Sequence, residues 1–99
     1  MTIAGTAPIM PEDADPPSSP YDQMRRCLEI AEAALAEAGA SLADVVRTRV
    51  IVTDAGYAPE VMRAHGEAFS EIRPASTALV AGLLDPRWHV EIELDAVIS

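Results

Sequence analysis

Lysine is absent from this 99-residue chain, cysteine occurs once, and the aromatic residues are one Phe, one Trp and two Tyr. Without lysine, all seven cations are arginines, and they face sixteen acids for a formal charge of −9. A phosphate-binding surface needs clustered cations that release counterions. Only Arg25-Arg26 and the pair Arg47 and Arg49 lie close together, so a nucleic-acid partner is not expected. The single thiol, Cys27, excludes an intramolecular disulfide. No apolar run approaches the length that spans a bilayer, and no charged, apolar and cleavable segments succeed one another at the start. No membrane partner is expected, and a cytoplasmic protein is the default.

Ninety-nine residues make one domain over 1–99, near the lower end of what one core supports. Nearly half of them are hydrophobic, at 49%, so composition argues for a folded chain. Much of that share is alanine, which buries little area per residue. A thin core of this kind favours association, and a homotrimer is the expectation.

The segment 2–9 reads as a strand with a bend at Gly5 and Pro8. Residues 11–19, Pro-Glu-Asp-Ala-Asp-Pro-Pro-Ser-Ser, have no periodicity and are expected to form a mobile loop. Ser19 with Asp22 three residues on, and Pro20 between them, opens a helix. Its apolar stripe is Met24, Cys27, Leu28, Ala31, Ala34, Leu35 and Ala38, and Gly39 ends it. A strand over 46–53 puts Val46, Thr48, Val50 and Val52 on one face and Arg47, Arg49, Ile51 and Thr53 on the other.

A second helix is expected from about Pro59 to Phe69, with Val61, Met62, His65, Ala68 and Phe69 as its stripe. Pro74 makes Arg73 its limit. Two strands, about 75–83 and 88–98, complete an α+β order βαβαββ with helices over one face of the sheet. Alternation sends Val90, Ile92, Leu94 and Ala96 to the core. The helix-free face is then expected to carry Arg47, Arg49 and Ile51, then Ser76, Ala78 and Val80, then His89, Glu91, Glu93 and Asp95. These charges are natural cross-strand partners. They form either a solvated, ion-paired face or a lining of subunit contacts with a polar pocket.

Arg73-Pro74-Ala75-Ser76-Thr77, the run His89-Val90-Glu91-Ile92-Glu93-Leu94-Asp95-Ala96-Val97, Ile3-Ala4-Gly5 and the segment 38–46 resemble the RidA (YjgF-type, endoribonuclease L-PSP-like) family of enamine and imine deaminases. The resemblance covers nearly the whole chain from Ile3. It implies a chorismate-mutase-like fold, a homotrimer with clefts between neighbours, and a small-molecule ligand in those clefts. Some family members are described as ribonucleases, a reading the charge does not favour.

In the deaminases an arginine follows the Pro-Ala pair and clamps the substrate carboxylate; here that position is Ser76. A cysteine common two residues later corresponds to Ala78. The acid associated with positioning the hydrolytic water is retained as Glu91, and the pocket-lining backbone corresponds to Ala4 and Gly5. Relatives also carry a segment before Ile3, with most of a first strand and an aromatic pocket residue. The expectation is therefore a shortened first strand, or a natural protein that begins upstream of Met1.

Glu91 reads either as a water-positioning base or as a cross-strand partner of Arg47 or Arg49. One of those arginines could also replace the missing clamp, because guanidinium binds carboxylates with two parallel bonds. His89 and Glu91 share a face but lack a third ligand, so no metal or cofactor is expected. His65 and Cys27 lie on buried stripes and read as core residues, and Trp88 and Tyr57 as packing aromatics. Two functions remain: a hydrolytic deaminase of reactive enamines or imines without the 2-aminoacrylate activity that the arginine supports, or a non-catalytic trimeric metabolite-binding module.

Overall fold

Ser19, Pro20 and Gly39 bracket the first helix as their chemistry dictates. In a computed structural model describing residues 1–98, α1 runs Pro20–Glu37, and the Asp22 N–H donates to Ser19 Oγ at 3.0 Å. Gly39 closes the helix at φ +79°, the left-handed region that costs glycine little, and the Ala40 N–H donates to Leu35 O at 2.8 Å. Helix α2, Ala58–Phe69, ends where the Ile72 and Arg73 N–H groups both donate to Phe69 O. Arg73 takes φ +53° just before Pro74.

Four strands form one mixed sheet: β1 Thr2–Thr6, β2 Val45–Val52, β3 Ala75–Val80 and β4 Val90–Ala96, in the spatial order β1-β4-β2-β3. β4 lies antiparallel to both β1 and β2, while β3 runs parallel to β2 by way of the α2 crossover. Both helices pack on one face. Met24, Cys27, Leu28, Ala31 and Leu35 of α1 and Val61, Ala64 and Phe69 of α2 close on Val50, Val52, Val90, Ile92, Leu94 and Ala96. The strict in-out alternation expected for the last strand holds throughout β4. No helix among the described residues is long and apolar enough to cross a membrane.

Several sequence expectations need correction. Val46 is 49% exposed and Val45 is buried in its place, because the register slips between Val45 and Arg47 where β2 meets β4. An extra residue at a bulge swaps the faces on either side of it. Ala38 is exposed, since α1 has already ended at Glu37. β3 stops at Val80 and β4 begins at Val90, each shorter than the alternation suggested.

The Pro- and Asp-rich segment 11–19 is tied down at its sides. Arg87 Nη2 reaches Asp85 at 2.8 Å and Asp13 at 2.9 Å, and Nη1 reaches Asp15 at 3.1 Å. These bonds raise the guanidinium's pKa, with Asp85 the main cause, and hold the Asp85 carboxyl below its usual range. Gln23, 1% exposed, completes the tie. Its Nε2 donates to Pro17 O and Arg87 O, both at 2.9 Å, and its Oε1 accepts from the His89 N–H at 2.7 Å.

Candidate functional site

The strand register composes the helix-free face row by row. Glu91 stands beside Ile51, and Ile51 beside Leu79; one step along come Glu93, Arg49 and Thr77, then Asp95, Arg47 and Ala75. Arg49 Nη1 pairs with Glu93 Oε1 at 3.2 Å, and Thr2 Oγ1 donates to Asp95 Oδ1 at 2.8 Å. Glu91 is therefore not the arginine's partner. Its half-buried carboxylate makes no hydrogen bond or ion pair among the described residues.

What Glu91 does meet is the backbone of β1. The register of β1 against β4 shifts between Ile3 and Thr6, a bulge that brings Gly5 against the Glu91 side chain. A Cβ at Gly5 would overlap Glu91 Oε1 and lie 3.1 Å from its Cδ. A side chain at position 5 would therefore push the Glu91 carboxylate aside, and Ala4, which precedes it, is exposed.

The structure moves Ser76 to the opposite side of the sheet from its expected place. It is the parallel neighbour of Thr48, a core-facing residue, and its Oγ lies 2.8 Å from Thr48 Oγ1. Thr48 Oγ1 lies in turn 2.9 Å from His65 Nε2. Ala78 and Val80 pair with Val50 and Val52 and share that phase. Paired residues on neighbouring strands point the same way, and Ser76 pairs with Thr48 rather than Arg47 or Arg49. In one chain, then, Ser76 and Glu91 lie on opposite faces and cannot touch one ligand.

His65 is buried, and burial lowers its pKa, so it is held as the neutral imidazole; its ring sits 4.8 Å from that of Phe69. The sequence supplied its burial, but the Thr48–Ser76 chain leading outward from it was missed. Burial, with the Glu91 charge adding to it, pushes the Cys27 thiol up to about 12, and Sγ–H points to Val90 O at 4.0 Å. A thiol so placed is packing material. The Tyr57 and His89 rings meet at 4.6 Å between centroids, tilted by 52°. Among the described residues no group of three or more His, Cys, Asp or Glu is placed to hold a metal.

Two hollows stand out. One of about 210 Å³ opens on the helix-free face between β1, β4 and β2, and includes Ala4, Arg47 and Arg49. The larger, about 550 Å³, is a groove between α1 and α2, floored by Leu28, Ala64 and Ala68 and edged by Glu29, Glu32 and Glu67. It is remote from Glu91 and Gly5, and its size alone gives it no chemistry.

Two helices on one side of a four-stranded mixed sheet, with an acid of the last core strand lying over a glycine of the first, define the class of fold and site. The chain belongs to the Endoribonuclease L-PSP family, whose model matches residues 1–98. The crystal structure of Rv2704 from Mycobacterium tuberculosis, described as a YjgF/YER057c/UK114 family member, is 41% identical with TM-score 0.86, over 98% of this chain and 77% of that one. The crystal structure of Escherichia coli TdcF with bound serine is 27% identical with TM-score 0.89, over 99% of this chain and 80% of that one. The Acinetobacter baylyi 3-aminoacrylate deaminase RutC is 34% identical over 70 residues, 71% of this chain and 56% of its own length.

Proposed function

We propose that this RidA-type protein binds a small metabolite at Glu91 and hydrolyses reactive enamines or imines that carry no carboxylate at the position an arginine would clamp. The observation that carries this reading is the free Glu91 carboxylate lying against Gly5, on a half-buried sheet face. An acid so placed can accept a proton from water as the water oxygen bonds to the imine carbon, and return it to the nitrogen; the hydroxyl oxygen then closes to a carbonyl as the C–N bond breaks and ammonia leaves. The deaminase named among the relatives and the serine bound to TdcF support a small nitrogenous ligand.

The site is completed by a second subunit of a homotrimer. In its favour stand the placement of Ser76 and Glu91 on opposite faces, and the exposure of every residue of β3. Strand edges left open in this way are ordinarily covered. The reading runs in a cytoplasmic setting and uses no cofactor. A non-catalytic metabolite-binding module is favoured by one observation: Ser76 Oγ is engaged with Thr48 and offers no cation.

The test is ammonia release from imines generated in situ. A neutral imine should turn over with wild-type protein, and Glu91→Gln should slow it by about 10²–10⁴-fold, the range of a lost general base. 2-Iminopropanoate should turn over negligibly, and Ser76→Arg should raise that rate. Ligand binding without turnover of any imine would select the non-catalytic reading. Light scattering that gives a monomer at micromolar concentration would remove the shared site altogether.

A further inference from the structure

The two helices leave a gap where they face each other. The groove of about 550 Å³ runs between them, in the layer that covers the sheet on the side away from Glu91. Its cause is in the sequence. The side chains available to fill it are Ala33 and Ala36 from α1 and Ala64 and Ala68 from α2, and methyl groups leave the space open. Leu28 and Ala64, both buried, make its floor. Along α1 it extends from Arg25 to Ala36, and helix rise puts that at ~17 Å, about three turns of a helix lying beside it.

The rim has chemistry of its own. Glu29 and Glu32, one turn apart on α1, are exposed and enter no ion pair or hydrogen bond among the described residues. On the facing helix Glu67 accepts from the Tyr21 hydroxyl and lies 3.8 Å from Arg25 Nη1. Arg25 is the one cation among the described residues lining the groove, and it is already engaged.

An apolar floor under a negative rim selects its occupant. Nucleic acid and anionic membrane surfaces are repelled by Glu29 and Glu32. A second copy of the chain is disfavoured as well, because α1 and α2 together carry six acids and three arginines. A small amine would answer the carboxylates and leave the floor wet. A helix with an apolar stripe flanked by lysines or arginines answers both.

We propose that the α1–α2 groove docks a basic amphipathic helix of another protein, its apolar stripe on Leu28, Ala64 and Ala68 and its cations on Glu29 and Glu32. The groove and the helix-free face lie on opposite sides of the sheet, so docking leaves that face free for contacts between subunits. The proposal is independent of any reaction at Glu91.

Fluorescence anisotropy tests it with a labelled peptide of about 15 residues, long enough to hold a helix, built from Leu, Ala and Lys with the apolar residues in one stripe. One control has the same composition in scrambled order; the other carries Glu in place of Lys. The striped basic peptide should bind saturably, and each control at least about tenfold more weakly. Glu29→Gln and Glu32→Gln together should weaken binding at least about tenfold, while Glu12→Gln, an exposed acid outside the groove, should change nothing. Ala33→Leu fills the groove from an exposed position on α1, so it should keep the melting temperature and abolish binding. No saturable binding, equal binding of the scrambled peptide, or binding that survives Ala33→Leu would overturn the proposal. A loss on Glu12→Gln as large as that of the paired change would trace binding to net charge and overturn it too.

Discussion

Thr48 Oγ1 and His65 Nε2 lie 2.9 Å apart with both residues buried, so a threonine in the middle of the sheet holds the one imidazole of α2. Burial lowers the His65 pKa below its ordinary 6.5. Below pH 6.5 the unfolded chain therefore takes up a proton that the folded chain resists. Stability is complete above that pH and declines as pH falls through the window beneath it. Melting curves from pH 7.5 to 5 should show this decline in the wild type. The decline should be smaller in His65→Gln, which titrates nothing there; equal slopes would show that His65 does not contribute.

Gly5 and Glu91 should be coupled energetically. Gly5→Ala puts a Cβ on Glu91 Oε1, and the free carboxylate has to swing to another rotamer, which costs about 0.5–1.5 kcal/mol. In a Glu91→Ala background the obstacle is gone, and the same change should cost under about 0.5 kcal/mol. Denaturant unfolding of the four proteins in this cycle measures the difference.

Gln23 should be among the most costly polar positions to lose. Gln23→Ala strips partners from Pro17 O, Arg87 O and the His89 N–H at once. A buried polar group left unpaired costs about 1–3 kcal/mol, so the variant should lose about 2–4 kcal/mol. By contrast Arg87→Ala should move the urea midpoint far less, because Asp13 and Asp15 are each 89% exposed. If the two variants proved equal in urea midpoint, the amide would not be the tie described.

Ser76→Ala should have a modest effect that reaches His65. It removes the outer hydroxyl of the Ser76–Thr48–His65 chain. A hydrogen bond of this kind contributes about 0.5–1.5 kcal/mol. The His65 ring nitrogens should shift in ¹⁵N NMR, whereas Thr77→Ala one residue on should leave them unmoved.

Those contacts also show where the sequence was readable. β4 was plain because Val90, Ile92, Leu94 and Ala96 alternate with charged residues, and period two admits one phase. β3 gives no such contrast: Ala75 to Val80 are small, hydroxylic or apolar on both faces, so the pattern does not fix which side Ser76 takes. The bulge at Val45–Arg47 carries no Gly or Pro to mark it. Glu91 and Gly5 were both recognised from their motifs, but the contact between them depends on a second bulge, in β1. Gln23 was overlooked as a polar helix residue, although it stands four residues before Cys27 and eight before Ala31, on the buried stripe.

The strand order sets a constraint on how the molecule is made. The fourth strand in chain order, β4, occupies an interior position between the first and the second. Until it emerges from the ribosome, β1 has nothing to pair with, and one edge of β2 stands open. A nascent chain can form α1, β2, α2 and β3 but cannot finish the sheet, and joining Thr2 to Asp95 closes a loop of nearly the whole polypeptide. The apolar stripe of β4 also packs against α1, so part of that helix's apolar face stays open until then. Completion of the sheet is thus deferred until β4 has emerged, and protection from aggregation falls on whatever meets the chain before then.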